Sequence, residues 1–144
     1  MIRAYRSRGT RLEPLDLTTG HLRDALWIDL EAPDRAEEDA VEAASGVGIP
    51  TREDMQEIEV SSRFYREGAA LFLTVQVLET QSERDTEIGA VTFVLLPDRL
   101  ISVHYHHPGS FTHFADWAAR HDQPLANGTE ALLGLLESVV DRLA

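Results

Sequence analysis

The sequence contains no cysteine, and this absence excludes several classes of function at once. Disulfide-stabilised scaffolds, thiolate nucleophiles and zinc–thiolate centres all require the missing residue. A chain without cysteine is also compatible with a reducing compartment.

The sequence also lacks a long hydrophobic segment. Its longest uncharged apolar run extends from Gly89 to Pro97, far short of the about 20 residues that a helix needs to cross a bilayer. No apolar stretch follows the basic residues at the N-terminus, so the sequence predicts no secretory signal. We therefore expect that no part of this chain enters a membrane.

Basic residues are few: 13 Lys and Arg stand against 25 Asp and Glu, which gives a formal net charge of −12. This balance repels nucleic-acid phosphates and anionic membrane surfaces, so we predict neither as a partner, whereas cation binding is compatible with it. With 144 residues, of which 43% are hydrophobic, the chain can bury a core. We predict one soluble domain spanning residues 1–144.

Local patterns predict a mixed α/β or α+β layout. A helix is expected from Pro33 to Ser45, with Gly46 as its C-terminal stop. Thr51 is an expected N-cap, paired with Asp54, for a short helix that ends near residue 58. Apolar runs predict strands at 27–30, 62–66, 70–78, 90–96 and 100–105, with a turn at 67–68 and a polar loop at 81–87.

Two further helices are predicted to close the chain. The first, expected to begin with Ser110 as its N-cap, places Phe111, Phe114, Trp117 and His121 at helical spacing. The second carries an apolar stripe from 132 to 143, and no Gly, Asn or Pro stops it. We therefore expect the native helix to continue beyond this sequence.

Specific strings are more informative than this periodicity. The run at 27–30, followed by a proline and an acidic helix, and the string GIPTREDM at 48–55 resemble the cytosolic domain of CorA-type magnesium transporters. Similar segments continue in order at 57–65, 71–74, 91–95, 100–105 and 135–142, the last of which looks like the start of that family's long stalk helix. The resemblance covers nearly the whole chain, and its most specific part is 48–65.

The resemblance implies an α/β (α+β) fold: a three-layer α-β-α sandwich with a mixed sheet, and the start of a stalk helix at the C-terminal end. In that family, five subunits form a funnel. Two transmembrane helices per subunit follow the stalk, with a Gly-Met-Asn signature at the pore mouth. The chain contains neither helix nor signature, so we expect it to be the cytosolic part of a longer protein at the inner (plasma) membrane.

Glu53 and Asp54 match the adjacent Glu-Asp pair that contributes to regulatory Mg²⁺ sites between subunits in that family. Mg²⁺ takes oxygen ligands and retains several waters, so one or two carboxylates from each side suffice. The resemblance implies that a neighbour's stalk helix supplies the partner carboxylates, which makes this pair a half-site. A competing interpretation is that two acids in a first helical turn only favour the helix dipole.

A second candidate metal site is a histidine group. His104 and His106 would share a face if the strand continues, and His107 and His113 lie near them in sequence. Imidazoles in such a group bind Zn²⁺, Co²⁺ or Ni²⁺. However, Pro108 interrupts the strand, and histidines at strand ends commonly have no ligand role.

The preferred hypothesis is a metal-sensing and assembly domain of a Mg²⁺ channel, not an enzyme. It implies a homopentamer for the full-length protein and a monomer or dimer for this chain alone. One alternative is the same role in a zinc-transporting relative. Another is a stand-alone metal-dependent enzyme that uses His104, His106 and His113. Asp29 and Glu31 could also be paired acids of a hydrolase, but no acid–base partner is identifiable, so we interpret them as structural carboxylates.

Overall fold

A seven-stranded sheet organises the computed structural model, which describes residues 1–56, 63–80 and 86–143. The strands are β1 (Ile2–Arg8), β2 (Arg11–Pro14), β3 (Trp27–Glu31), β4 (Phe64–Glu67), β5 (Ala70–Thr80), β6 (Thr86–Leu95) and β7 (Leu100–His104). The helices of the described residues are α1 (Arg35–Ser45), α2 (Arg52–Met55), α3 (Gly109–Ala118) and α4 (Gly128–Leu143), and a 3₁₀ turn spans Leu22–Asp24.

The strand order is β2-β1-β3-β7-β6-β5-β4. Strands β3 and β7 pair in parallel, and the other neighbours pair antiparallel, which confirms the expected mixed sheet. In the parallel register, Asp29 lies beside Ser102 and Glu31 beside His104. The parallel pairing therefore brings polar residues of two distant segments side by side on adjacent interior strands of the sheet.

Helices cover both faces of the sheet, as the three-layer prediction requires. The α1 face packs against Val41 of α1 and Met55 of α2, and its main side chains are Ile28, Leu30, Phe72, Ile101 and Val103. The α3 face packs against α3 and α4, and its main apolar side chains are Trp27, Phe93, Leu100, Phe111 and Phe114. Since strand side chains alternate between faces, both clusters draw on the same central strands.

The first two helices begin with capping boxes. In α1, Asp34 is the N-cap and exchanges hydrogen bonds with Glu37, and Gly46 ends the helix with a φ of 76°. The expectation that Pro33 lies in the first turn was therefore wrong, because it precedes the N-cap. The Thr51 cap of α2 is confirmed, while the predicted continuation from 57 to 58 lies outside the described residues.

On the α3 face of the sheet, α3 begins and ends at residues other than the predicted ones. The N-cap of α3 is Pro108, and Ser110 is a buried residue of the first turn, so the predicted Ser110 cap was wrong. Helix α3 ends at Ala118, so His121 lies beyond it and stacks on Trp117 instead of continuing the helix. None of the described helices has the length and apolar character that a membrane span requires.

The five predicted strands are present, but β6 is longer than predicted and two further strands were not predicted. Strand β6 begins at Thr86, so the last two residues of the predicted 81–87 loop belong to a strand, while 81–85 lie outside the described part of the chain. The hairpin of β1 and β2 was not predicted. Its two strands carry several exposed polar side chains, mainly Arg and Ser, close to the sheet edge. This polar composition hides the apolar run by which the other strands were predicted.

Candidate functional site

The predicted regulatory acids lie in the exposed first turn of α2. The Thr51 hydroxyl accepts a hydrogen bond from the Asp54 amide at 3.1 Å, and Asp54 Oδ2 accepts one from the Thr51 amide at 2.9 Å. This box fixes the Asp54 carboxylate against the turn. Glu53 is exposed beside it, and its carboxylate is in no hydrogen bond or ion pair found among the described residues.

The first turn of α1 has the same local chemistry in a different environment. Its Glu37 carboxylate accepts a hydrogen bond from the chain's terminal ammonium at 2.9 Å and another from the Asp34 amide at 3.1 Å. The side chain of Glu38 is only 13% exposed. Both turns favour negative charge through the helix dipole, but only the α2 turn presents its acid pair openly to a hydrated cation.

A second polar site lies buried on the α3 face. The indole Nε1 of Trp27 donates to Ser102 Oγ at 2.9 Å, and Ser102 Oγ donates to Asp29 Oδ1 at 2.6 Å. Nε2 of His104 lies 2.8 and 2.9 Å from the two Asp29 oxygens, and its Nδ1 lies 2.7 Å from the carbonyl oxygen of His106. We call Trp27, Ser102, Asp29 and His104 the buried network.

The direction of each bond follows from donor chemistry. An indole N–H only donates, so the Ser102 hydroxyl accepts a hydrogen bond from Trp27 and donates its own hydrogen bond to Asp29. Both ring nitrogens of His104 face acceptors, so both donate when Asp29 is ionised. Burial by itself lowers the pKa of His104. The hydrogen bond and charge of Asp29 outweigh this effect and raise that pKa above its usual value, with the His106 carbonyl and Glu31 acting in the same direction.

The rim of the buried network is charged. Arg3 Nη1 lies 3.8 Å from Asp29 Oδ2, and Arg3 Nη2 lies 3.5 Å from Glu31 Oε2. The ring of His107 lies 2.8 Å from Glu31 Oε1. Burial raises the pKa of Glu31, but the His107 hydrogen bond and the Arg3 charge reverse the effect and lower it overall. Each carboxylate thus has basic partners, which accords with a structural role for Asp29 and Glu31.

The candidate histidines are not assembled into one metal centre. His104 uses both ring nitrogens within the network, and its ring centre lies 6.1 Å from that of His106. His106 is buried, and its ring packs so closely on Gly89 that a Cβ there would lie 2.5 Å from His106 Nδ1. His113 lines a groove between α3 and α4 instead. Among the residues that the structure describes, no three His, Asp or Glu side chains are grouped to hold a metal ion.

Sequence reasoning identified Asp29 and His104 separately and missed that they are partners. It also missed Ser102 and Arg3, which complete the network and its rim. A serine two residues before a histidine in the same strand carries no signal of its own. The pairing of β3 with β7 places Ser102 directly beside Asp29, and no local pattern in the sequence specifies that pairing.

Comparison with known proteins identifies a family. The model of the family described as CorA-like Mg²⁺ transporter protein matches residues 23–144. This range includes the α2 turn and all four residues of the buried network. It excludes β1 and β2.

Curated relatives support the same assignment. The magnesium transport protein CorA of Escherichia coli K12 is 27% identical over 145 residues, and that of Yersinia pestis is 26% identical over the same length. Both alignments cover 100% of this chain and 46% of the relative. The chain thus spans about half the length of the curated relatives it matches.

Solved structures share the fold at low identity. The complete CorA magnesium transporter of Methanocaldococcus jannaschii has a TM-score of 0.71 at 15% identity, covering 99% of this chain and 45% of that chain. The soluble domain of the same transporter has a TM-score of 0.71 at 14% identity, covering 99% and 56%. The cytoplasmic domain of ZntB from Vibrio parahaemolyticus has a TM-score of 0.68 at 13% identity, covering 98% and 58%. These similarities establish the three-layer fold.

Proposed function

The chain belongs to the CorA-like Mg²⁺ transporter protein family, and from this membership we propose that it is the cytosolic metal-sensing and assembly domain of a divalent-cation transporter. In this proposal the domain lies on the cytoplasmic side of the inner membrane and assembles with copies of itself into a homopentamer. Its role is regulation of transport and not catalysis.

The observation that carries the proposal is the α2 turn. Glu53 and Asp54 are adjacent and exposed, and the capping box fixes the Asp54 carboxylate against the turn with Glu53 beside it. Mg²⁺ keeps much of its hydration shell and can be held by a few carboxylates together with waters. Such a half-site needs acids from a second subunit to complete it.

The mechanism we infer is electrostatic. Each chain carries a net charge of −12, so copies brought together repel one another unless cations screen the facing carboxylates. Bound Mg²⁺ would hold the α2 turn of one subunit against carboxylates of its neighbour's stalk helix in a closed assembly, and loss of Mg²⁺ would let the subunits separate and relax the gate.

A Mg²⁺ titration of this chain tests the half-site. We expect the backbone amide signals of the α2 turn to shift saturably in the millimolar range in two-dimensional NMR spectra. The paired substitution Glu53→Gln with Asp54→Asn should weaken this response several-fold. It should do so without unfolding the turn, because the Asn side-chain oxygen can still accept the capping bond from Thr51.

The first turn of α1 supplies a matched control. The pair Glu37→Gln with Glu38→Gln removes two negative charges from the first turn of another helix, and the response of the α2 turn should be unchanged. Equal responses of the two turns to Mg²⁺ in the unmodified chain would reduce the effect to general charge screening and contradict the proposal. Sedimentation velocity with and without Mg²⁺ then reports whether binding promotes assembly.

A zinc-transporting relative is the second candidate function. It is favoured by the similarity of the fold to the ZntB cytoplasmic domain and by the concentration of histidines after β7. In that case Zn²⁺, Co²⁺ or Ni²⁺ would be sensed, with His104 and His106 as the predicted transition-metal ligands. Calorimetric titration with Zn²⁺ tests this candidate, and absence of binding at low micromolar concentration would contradict it.

A further inference from the structure

Arg99 is a buried cation at the opposite end of β7 from the buried network. It lies in the turn between β6 and β7 and is only 8% exposed, although a guanidinium group is always charged. Its Nη2 donates to the Arg23 carbonyl at 3.1 Å and lies 3.5 Å from Asp98 Oδ2. Its Nη1 is buried and has no hydrogen-bond partner among the described residues.

An orphaned guanidinium nitrogen is costly, because burial removes its water without supplying an acceptor. Buried polar groups in native proteins almost always have a partner. An acceptor group supplied by a bound ligand would satisfy Arg99 Nη1. The contact with Asp98 is long and that side chain is 73% exposed, so Asp98 can turn aside to admit one.

Arg99 is one of the residues that line a surface pocket of about 560 Å³. The walls come from the turn between β1 and β2, the 3₁₀ turn, the β6–β7 turn and the loop between α3 and α4. The charged side chains that line it are Arg23, Asp24, Asp98, Arg99 and Glu130. This volume accommodates a small molecule.

The backbone around Arg99 is fixed before any ligand binds. Its carbonyl accepts from the Leu96 amide at 2.9 Å, and the next amide, that of Leu100, donates to Leu26 at 2.8 Å. Helix α4 begins directly against it, since a Cβ on Gly128 would lie 2.4 Å from the Arg99 carbonyl oxygen. A pre-organised cation in a shaped pocket recognises ligands at a lower entropic cost than a mobile one.

We propose that this pocket binds a small amino-carboxylate, with the carboxylate at Arg99. A planar guanidinium matches a carboxylate, and Arg23 adds a second positive charge at the rim. The three carboxylates of Asp24, Asp98 and Glu130 repel a polyanion and attract an ammonium group. A zwitterion therefore complements the lining better than phosphate does.

Titration of the whole chain with glycine, acetate and inorganic phosphate tests this site by NMR. We expect saturable shifts of the Arg99 Nε–H signal and of the amides at 125–127, strongest for glycine, weaker for acetate and weakest for phosphate. Arg99→Lys keeps the charge but loses the planar donors, and it should weaken glycine binding roughly tenfold or more. Arg35→Lys, on α1, should leave binding unchanged.

The assignment fails if none of the three probes shifts the Arg99 signal saturably, or if phosphate binds more tightly than glycine. It fails equally if Arg99→Lys binds glycine as the unmodified chain does. Should Arg99→Lys not fold, the shifts of the Arg99 signal in the unmodified chain still decide. The site lies outside the α2 turn, so its outcome is independent of the Mg²⁺ titration.

Discussion

The two faces of the sheet are built differently although both are buried. On the α1 face, strands β3 and β7 contribute only aliphatic side chains: Ile28, Leu30, Ile101 and Val103. On the α3 face, the same two strands contribute Asp29, Ser102 and His104 beside Trp27 and Leu100. Since the backbone is shared, the difference lies entirely in which partners each side chain requires.

This difference predicts different responses to substitution. Apolar burial is non-directional, so the α1 face should lose stability in proportion to the volume removed. A buried polar network is stable only while every member keeps its partners. The α3 face should therefore respond to loss of a single oxygen and to pH.

The largest contrast is expected between two neighbouring residues of β3. Asp29→Ala should lower the free energy of unfolding by about 3–5 kcal/mol, because it leaves Ser102 and His104 buried without their carboxylate acceptor. Ile28→Val, on the opposite face, should cost about 0.5–1.5 kcal/mol. Urea unfolding followed by tryptophan fluorescence measures both.

The double substitution Asp29→Leu with His104→Leu separates charge from packing. Replacing both partners of a buried ion pair by apolar groups costs less than removing one. The double variant should therefore be more stable than Asp29→Ala alone. If Asp29→Ala costs no more than Ile28→Val, the two faces do not differ in the way described.

The α1 face is the part of the fold that local sequence patterns predict well. Capping residues mark α1 and α2, the left-handed Gly46 marks the end of α1, and apolar runs mark the central strands. The hairpin of β1 and β2 escaped prediction because its residues are polar and lie at the edge. Strand order could not be predicted, since no local pattern specifies which apolar strands pair.

The two candidate sites also differ in whether local sequence or strand pairing determines them. The α2 turn is local, so its capping box and acid pair can be predicted within four residues of sequence. The buried network joins residues 73 and 75 positions apart, and its existence depends on the parallel register of β3 and β7. The expected pairing of His104 with His106 followed from strand alternation, but β7 ends at His104.

The second contrast is pH dependence, which only the α3 face should show. The pKa of His104 is raised in the folded chain, so below the unfolded value of about 6.5 the ring is charged in both states and the network contributes fully. As pH rises above that value, the unfolded chain releases its proton first, and stability falls until the folded ring also titrates.

Unfolding free energies measured across this pH window test the assignment. His104→Gln should flatten the decline, whereas Ile28→Val should shift the whole curve downward without changing its slope. Glu31 does not confuse the result, because its lowered pKa confines its contribution to acid pH. An equally steep decline in His104→Gln would assign the pH dependence to another group.

The smallest net effect is expected from changing both residues of the hydroxyl pair on the α1 face. Thr74 and Thr92 are buried, and their Oγ1 atoms lie 2.8 Å apart. Thr74→Val alone should cost about 1–3 kcal/mol, because the Thr92 hydroxyl loses its partner, while changing both to Val should be nearly neutral. A double-mutant cycle measures the coupling.

Replacing one partner along with the residue itself would not restore stability at Ser102, because Ser102 connects Trp27 to Asp29 and so has two hydrogen-bond partners. If the double threonine variant were instead as unstable as the sum of its single changes, the pair would be coupled to further groups, as Ser102 is. The α1 face would then tolerate substitution no better than the α3 face. Tolerance would follow from the number of polar partners and not from the side of the sheet.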